Sequence, residues 1–290
     1  MNNLIINFTP TGMIPTKADN QYVPVTPNEI IYDVKQAYEL GISMVHLHAR
    51  DSQTQESTYK KDVYAQIISG IRNFAPDLVI CVSTSGRTYN DFEKRSDVLQ
   101  LKGDLKPDMA SLTLSSLNFN KQVSINDPAT IINLTKEMKD KGIKPEAEAF
   151  DSGMINYFKY LIKKDLVTPP YYVNLILGNI ACAQADLLHA GVMVNDLPEN
   201  TYCSMGAIGN YQLQINSMAI SMGFGVRVGL EDNIWYDTKR TKPARNIELL
   251  ERVHLIADAN QRQVMQPVEL RKILKLKQGQ GTLECTKLSI

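Results

Sequence analysis

The 290-residue sequence predicts an α/β fold of one kind, a (β/α)8 TIM barrel with parallel strands and an extra C-terminal helix. Three observations carry that prediction. Eight short apolar runs alternate with longer amphipathic stretches, over a length typical of the fold, roughly 250 residues. Polar and charged residues gather just after the runs, where a barrel keeps its reactive groups. No Gly-rich turn follows the first run, which favours the barrel over an open doubly wound sheet that would also fit the alternation.

The elements follow in order. A first strand is expected over 3–8 (Asn-Leu-Ile-Ile-Asn-Phe). Thr26-Pro27-Asn28-Glu29 then opens a helix over 27–40 with an N-cap, a proline at N1 and a glutamate at N3. Gly41 closes that helix at a left-handed cap. Strand 43–48 pairs with helix 60–74, strand 78–83 with helix 91–101, and strand 109–114 with helix 128–141, which Gly142 ends. Strand 145–150 precedes helix 153–165, strand 171–177 precedes helix 183–194, and strand 202–208 precedes helix 210–222, which Gly223 ends. Strand 225–231 (Gly-Val-Arg-Val-Gly-Leu-Glu) and helix 244–259 complete the set, with a terminal helix at 266–275. One domain is expected over 1–276. Gln278-Gly279-Gln280-Gly281-Thr282 breaks the pattern, so 277–290 reads as a loose tail.

Composition narrows the function. Lys plus Arg number 31 and Asp plus Glu 31, so no basic excess favours nucleic acid or an anionic membrane. No apolar run is long enough to span a bilayer, and the start, Met-Asn-Asn-Leu-Ile-Ile-Asn-Phe, lacks the features of a secretory leader. Cys81, Cys182, Cys203 and Cys285 are scattered and read as reduced thiols. The expectation is a soluble cytoplasmic protein.

Two of the four histidines, His46 and His48, form an H-x-H pair in the second strand. Side chains two apart on a strand share a face, with Cα atoms roughly 6.5–7 Å apart. Imidazoles so placed reach one ion at about 2.0–2.1 Å each. His189 and His254 fall in predicted helices, so the third ligand is expected to be Glu231, at the end of a last strand that closes beside the first. By alternation Arg227, Gly229 and Glu231 share a face. Two histidines and one carboxylate leave an open position where a metal can polarise a carbonyl. Asp232 is the candidate base and Arg227 the group that orients it.

Other strand ends supply the rest. Thr11, Ser83, Thr84, Ser85, Gly86, Ser111 and Asn118 are the candidate substrate-binding positions, with Ile14 near the first strand. Ser83 to Gly86 fits two readings, a turn capping the next helix or a cluster of hydroxyls and N–H groups for an anion. Glu146 and Glu148 fit either a catalytic role or an ion pair with Arg50 or Lys144. Asp51 reads as a loop cap, and Met205, Met218 and Met222 as core.

Six blocks in this order carry a resemblance. They are Val45-His46-Leu47-His48-Ala49-Arg50-Asp51, Ser83-Thr84-Ser85-Gly86, Ser116-Leu117-Asn118-Phe119, Lys144-Pro145-Glu146-Ala147-Glu148, Gly206-Ala207-Ile208-Gly209 and Val226-Arg227-Val228-Gly229-Leu230-Glu231-Asp232-Asn233. Together they resemble the β-keto acid cleavage enzymes, over about residues 4 to 276. The resemblance implies a TIM barrel, a homotetramer, and zinc on the residues matching His46, His48 and Glu231. It implies that a β-keto acid and acetyl-CoA, the co-substrate, become acetoacetate and a new acyl-CoA. The dyad matching Arg227 and Asp232 would take a proton from C2, the metal stabilising the enolate, before attack on the thioester and retro-Claisen cleavage. The residue matching Ser83 would help bind the substrate carboxylate, and that matching Glu146 would support the polar site.

The chain departs from the family pattern in four places. Ile14 stands where family members acting on an amine-bearing substrate have a glutamate for that amine, so the resemblance implies a substrate that lacks a cation there and is neutral or apolar at its far end. Ile180-Ala181-Cys182-Ala183 replaces a Gly-Gly pair, and Asn210 replaces an arginine, both in regions expected to touch the CoA arm. Arg87, where the family often has a small residue, reads as a surface arginine or as a contact to an anionic partner. Two competing readings are a metal hydrolase of amidohydrolase type, for which the chain is short of histidine ligands, and a non-catalytic binding barrel.

Overall fold

The structure is a computed structural model describing residues 3–276; the tail expected at 277–290 lies outside the described residues. Eight parallel strands form a closed barrel: β1 (Ile6–Phe8), β2 (Met44–Leu47), β3 (Val79–Val82), β4 (Met109–Thr113), β5 (Lys144–Ala149), β6 (Tyr171–Leu177), β7 (Thr201–Ala207) and β8 (Gly225–Val228). Closure is explicit in the register: Asn7 of β1 pairs with Met44 of β2 on one side and with Arg227 of β8 on the other. The helices between the strands are α1 (Pro27–Leu40), α2 (Lys61–Arg72), α3 (Phe92–Ser96), α4 (Pro128–Lys141), α5 (Ser152–Lys163), α6 (Leu187–Asn195) and α7 (Gln212–Ser221), with α8 (Asn246–Ala259) after β8. Two short antiparallel ribbons, Ala49–Arg50 with Ser57–Thr58 and Leu117–Asn118 with Val123–Ser124, rise from the loops after β2 and β4.

The main core lies between strands and helices, where Ile30, Val34, Ile67, Ile68 and Leu134 meet Ile6, Phe8, Val45 and Ile80. A smaller cluster fills the N-terminal end of the barrel, where Ile5, Met44, Val79 and Met109 meet Leu270 and Leu274. Leu270 lies on α9 (Pro267–Ile273), the expected terminal helix. The α1 start is as the sequence predicts: Thr26 accepts from the Glu29 N–H while the Glu29 carboxylate accepts from the Thr26 N–H. Gly142 takes the left-handed cap. Gly41 does not; its φ is positive at 113° but its ψ of 104° lies outside that region.

Several element boundaries differ from expectation. Strand β1 begins at Ile6 rather than at 3. The stretch 91–101 divides into α3 and a 3-10 turn at Asp97–Gln100. The sixth helix begins at Leu187, not at 183, because Asp186 is its N-cap and accepts from the His189 N–H. The eighth strand ends at Val228, since the N–H groups of Asp232 and Asn233 both turn back to the Gly229 carbonyl. The alternation argument for Arg227, Gly229 and Glu231 therefore fails. Among the described residues no helix is long and apolar enough to cross a membrane, and Cys81, Cys182 and Cys203 are free.

Candidate active site

At the C-terminal end of the barrel, β2 carries His46, and His48 follows one residue past its last strand position. Both side chains are buried, and their Nε2 atoms stand 3.3 Å apart. Glu231 arrives on the turn after β8, with Oε1 3.2 Å from His48 Nε2 and 4.0 Å from His46 Nε2. Tertiary packing shapes that turn. A Cβ on Gly229 would stand 2.0 Å from the Thr9 carbonyl oxygen, and one on Gly12 2.7 Å from Glu231 Cγ. Asn246 at the start of α8 accepts from the Leu230 N–H and donates to the Pro10 carbonyl, tying the turn to the loop after β1.

These three residues fit a divalent cation. Ligands about 2.0–2.1 Å from a tetrahedral ion lie roughly 3.3 Å from each other. The observed separations of 3.3, 3.2 and 4.0 Å bracket that value. Glu231 Oε2 is buried with no hydrogen-bond partner. His46 Nδ1 donates to Glu146 Oε2 over 2.5 Å, which leaves Nε2 as the atom facing His48. With His46 Nδ1 committed to Glu146, the two Nε2 atoms and Glu231 Oε1 face one point, the donor set that suits a divalent cation.

The electrostatics describe the same demand for positive charge. Burial lowers the pKa of His46, yet Glu146 and Glu231 outweigh it and hold it near about 9. Burial lowers His48, which favours the neutral, ligating form. Burial would raise Glu146, but His46 and Arg227 bring it down to about 2. Glu231 is likewise held well below the carboxylate range by Arg227 and the two histidines, against burial.

Arg227, on β8, organises the acids. Its Nε donates to Asp232 Oδ2 at 2.9 Å and its Nη2 to Glu231 Oε1 at 2.6 Å. Glu148 Oε1 lies 3.5 Å from Nη1, which has no hydrogen bond. Burial raises the pKa of Asp232, Arg227 pulls it down and Glu231 pushes it up again, with a net upward shift. Asp232 is thus an ionisable carboxyl held in place, in a dry setting that strengthens it as a base.

One cavity joins these groups. His46, His48, Ser83, Ser85, Arg87, Thr113, Glu148, Arg227, Glu231 and Asp232 line it together with Ile14, Phe119, Phe150, Ile176 and Ile208. Other substrate-binding candidates do not line it. Thr84 is turned away, donating its hydroxyl to the Ser111 carbonyl while its N–H donates to Ser111 Oγ. Gly86 is pressed against the Ile125 carbonyl, 2.1 Å from where a Cβ would be, so its role is backbone approach. Thr11 accepts from Arg50, and the Asn118 carbonyl accepts from Asn179. Arg50 also donates to the carbonyls of Met13, Pro15 and Gln55, so it fixes the loop that carries Ile14.

Two further expectations are corrected. Neither Glu146 nor Glu148 pairs with Arg50 or Lys144: Glu146 accepts from His46, Asn7 and Cys81, and Glu148 accepts from Thr113 beside Arg227. Their barrel-facing positions exclude the longer-range partners. Arg87 is not a surface arginine, because its guanidinium folds inward onto the Phe119 ring, 3.3 Å from the centroid. The remaining histidines stand outside the site: His189 is exposed against Asp186, and His254 meets the Gly41 carbonyl. The sequence reading missed Asn7, whose amide donates to Glu146 at 2.6 Å. A polar residue in the middle of an apolar strand was the available signal.

A family model described as beta-keto acid cleavage enzyme matches residues 3–276. The 3-keto-5-aminohexanoate cleavage enzyme of Fusobacterium nucleatum subsp. nucleatum is 35% identical over 280 residues, covering 96% of this chain and 99% of the relative. The 3-oxoadipate:acetyl-CoA acetyltransferase of Cupriavidus necator is 33% identical, with 94% of each chain covered. Among solved structures, a ternary complex of ObcA with a C4-CoA adduct and oxalate superposes with a TM-score of 0.77 over 88% of this chain and 68% of that one, at 20% identity, and shares the fold.

Proposed function

This chain belongs to the beta-keto acid cleavage enzyme family, and we propose on that premise that it condenses a β-keto acid with acetyl-CoA, releasing acetoacetate and a new acyl-CoA. The observation that carries the reading is the convergence of His46, His48 and Glu231 on one point, with the Arg227–Asp232 pair beside it in the same cavity.

Asp232 takes the proton from C2 of the keto acid. Arg227 holds its carboxylate in place and balances the acids around it. A divalent ion bound by His46, His48 and Glu231, zinc by the family resemblance, supplies a Lewis acid for a carbonyl oxygen and its developing negative charge. Glu146 fixes the His46 ring through Nδ1. Ser83 and Ser85 present hydroxyls to the substrate carboxylate. C2 forms a bond to the thioester carbon and the CoA thiolate departs. The thiolate then adds to the original ketone carbon, the C2–C3 bond breaks, and the electron pair left on C2 accepts the proton back from Asp232. No atom or charge is left over.

Ile14 at the cavity mouth supports a substrate without a cationic amine, since a carboxylate there would be its natural partner. The CoA arm is proposed to cross the rim near Ile180–Ala183 and Asn210, where Asn210 is engaged by Arg240 and Thr238. A homotetramer is proposed with support from the exposed Leu187, Leu188 and Val192 face of α6. Incubating metal-loaded protein with acetyl-CoA and a panel of β-keto acids tests the reaction. Acetoacetate formation that depends on both substrates is expected; hydrolysis without CoA, or binding without products, overturns it. Light scattering of the purified protein checks the tetramer.

A further inference from the structure

Arg87 is the one pocket cation that the chemistry above does not use. Its loop leaves β3 after Gly86, and its backbone N–H donates to Ser85 Oγ. Its guanidinium carbon sits over the Phe119 ring, which itself meets Phe150 edge-on at 5.7 Å and 89°. Among the described residues no carboxylate pairs with that guanidinium and no hydrogen bond occupies its donors. The side chain is half-buried in the cavity lining, and Glu231, Glu148 and Asp232 act on it without hydrogen-bonding it, so its open donors can serve an anion from outside the chain. Burial lowers the Arg87 pKa to about 10, which leaves it fully charged at neutral pH.

A second donor stands on the same wall. Ser124 is buried, lines the cavity and pairs across its ribbon with Leu117. Its Oγ accepts from Asn126 Nδ2, so the hydroxyl hydrogen remains to be donated. A planar fork backed by an aromatic ring, with a hydroxyl nearby, suits a carboxylate held by two parallel hydrogen bonds.

The carboxylate common to all β-keto acids is assigned to Ser83 and Ser85, while the Arg87 guanidinium is turned toward Phe119 in the lining of the same cavity. Ser83 follows β3 directly, and its N–H donates to the Leu47 carbonyl between the two histidines. Arg87 instead reaches the ribbon after β4 and the end of β5. Ile14 adds no negative charge of its own to the cavity lining.

We infer that Arg87, assisted by Ser124, recognises the distal carboxylate of the substrate, and that the preferred substrates are β-keto dicarboxylic acids. This rests on the acyl-transfer reading for the substrate class and replaces the neutral far end expected from Ile14 alone.

Two measurements test it. In calorimetry on the metal-loaded protein, adipate is expected to bind at least tenfold more tightly than hexanoate. Arg87→Met should remove that difference, and Arg87→Lys should restore part of it. In turnover with acetyl-CoA, the ratio of kcat/KM for 3-oxoadipate over 3-oxohexanoate should fall at least tenfold in Arg87→Met, mostly through KM of the diacid. Equal binding of adipate and hexanoate by the wild type overturns the inference. So does an equal loss for both acids in Arg87→Met, which assigns the guanidinium to the shared carboxylate or to packing. A rise confined to the KM of acetyl-CoA assigns it to the co-substrate and overturns it too. Should neither keto acid react, the acyl-transfer reading fails, and the adipate-to-hexanoate ratio still decides the role of Arg87.

Discussion

Two buried arginine clusters stand at opposite ends of the barrel, and they are built on opposite balances of charge. At the N-terminal end one acid serves two cations: Asp108 accepts from Arg271 at 2.7 and 2.8 Å and from Arg72 at 2.8 Å. The remaining donors are absorbed by backbone, Arg271 giving to the carbonyls of Asp77 and Leu78, and Arg72 to those of Pro76 and Leu78. At the C-terminal end one cation serves three acids, Glu148, Glu231 and Asp232. There Arg227 Nη1 and Glu231 Oε2 are buried without hydrogen bonds. The first cluster is complete within the chain and holds α9 across the barrel floor. The second has an excess of negative charge and unused lone pairs, the condition of a site shaped around something else.

Substitutions at each end should separate these roles. The largest effect is expected from Asp232→Asn, with kcat for acetoacetate release falling about 10³-fold, in the range of a lost general base. Its metal content, read by elemental analysis, should match the wild type, whereas His48→Ala should lose both metal and turnover. Undiminished turnover in Asp232→Asn would remove the carboxylate from the reaction. At the other end, Asp108→Asn strands two guanidinium groups and should cost roughly 3–5 kcal/mol of stability, measured by denaturant unfolding. Turnover per folded molecule should hold; a matching loss of kcat would mean that the two ends are coupled.

Glu146→Gln is expected to weaken metal binding about 10–100-fold, the usual scale for a group that orients a ligating histidine. Competition against a chelator measures it. The smallest effect concerns the frame around the turn that carries Glu231. Asp33 accepts from Asn246, and burial pushes its pKa up to about 6. A carboxyl raised in the folded state stabilises most below its unfolded pKa, about 3.9, and that contribution is lost as pH rises through about 6. The melting temperature of Asp33→Asn relative to wild type should therefore climb between pH 4 and pH 8. A gap that does not change with pH would show that burial is not what raises this group.

Local signals were legible where the physics is local. The Thr26–Glu29 capping box, the Gly142 cap and the β6 run, apolar but for Asn174, are readable because their signals lie in neighbouring residues. The H-x-H pair and the residues after β8 were legible as chemistry, since polar groups in apolar runs need a reason. The end of β8 was not, because it is set by the Glu231 N–H donating across the closure to the Thr9 carbonyl and by the Asp232 and Asn233 N–H groups turning back to the Gly229 carbonyl. Arg87 stayed between two readings, a surface arginine and a contact to an anion, for a related reason. Its loop shows no periodicity, and only the ribbon bearing Phe119 decides which way a long side chain swings. Thr84 and Ser111 were read as substrate contacts because hydroxyls at strand ends look alike in sequence, whereas here they fasten two loops to each other.

The position of Glu231 has a consequence for assembly. One imidazole comes from the second strand, the other from the residue just past it and the carboxylate from the turn following the eighth, so the trio exists only once β8 has docked on β1. An ion gripped there would staple the two ends of the circle and report whether the ring has shut. A fragment missing the final strand would hold half a chelate, and ion uptake could serve as the clock for the last event in folding.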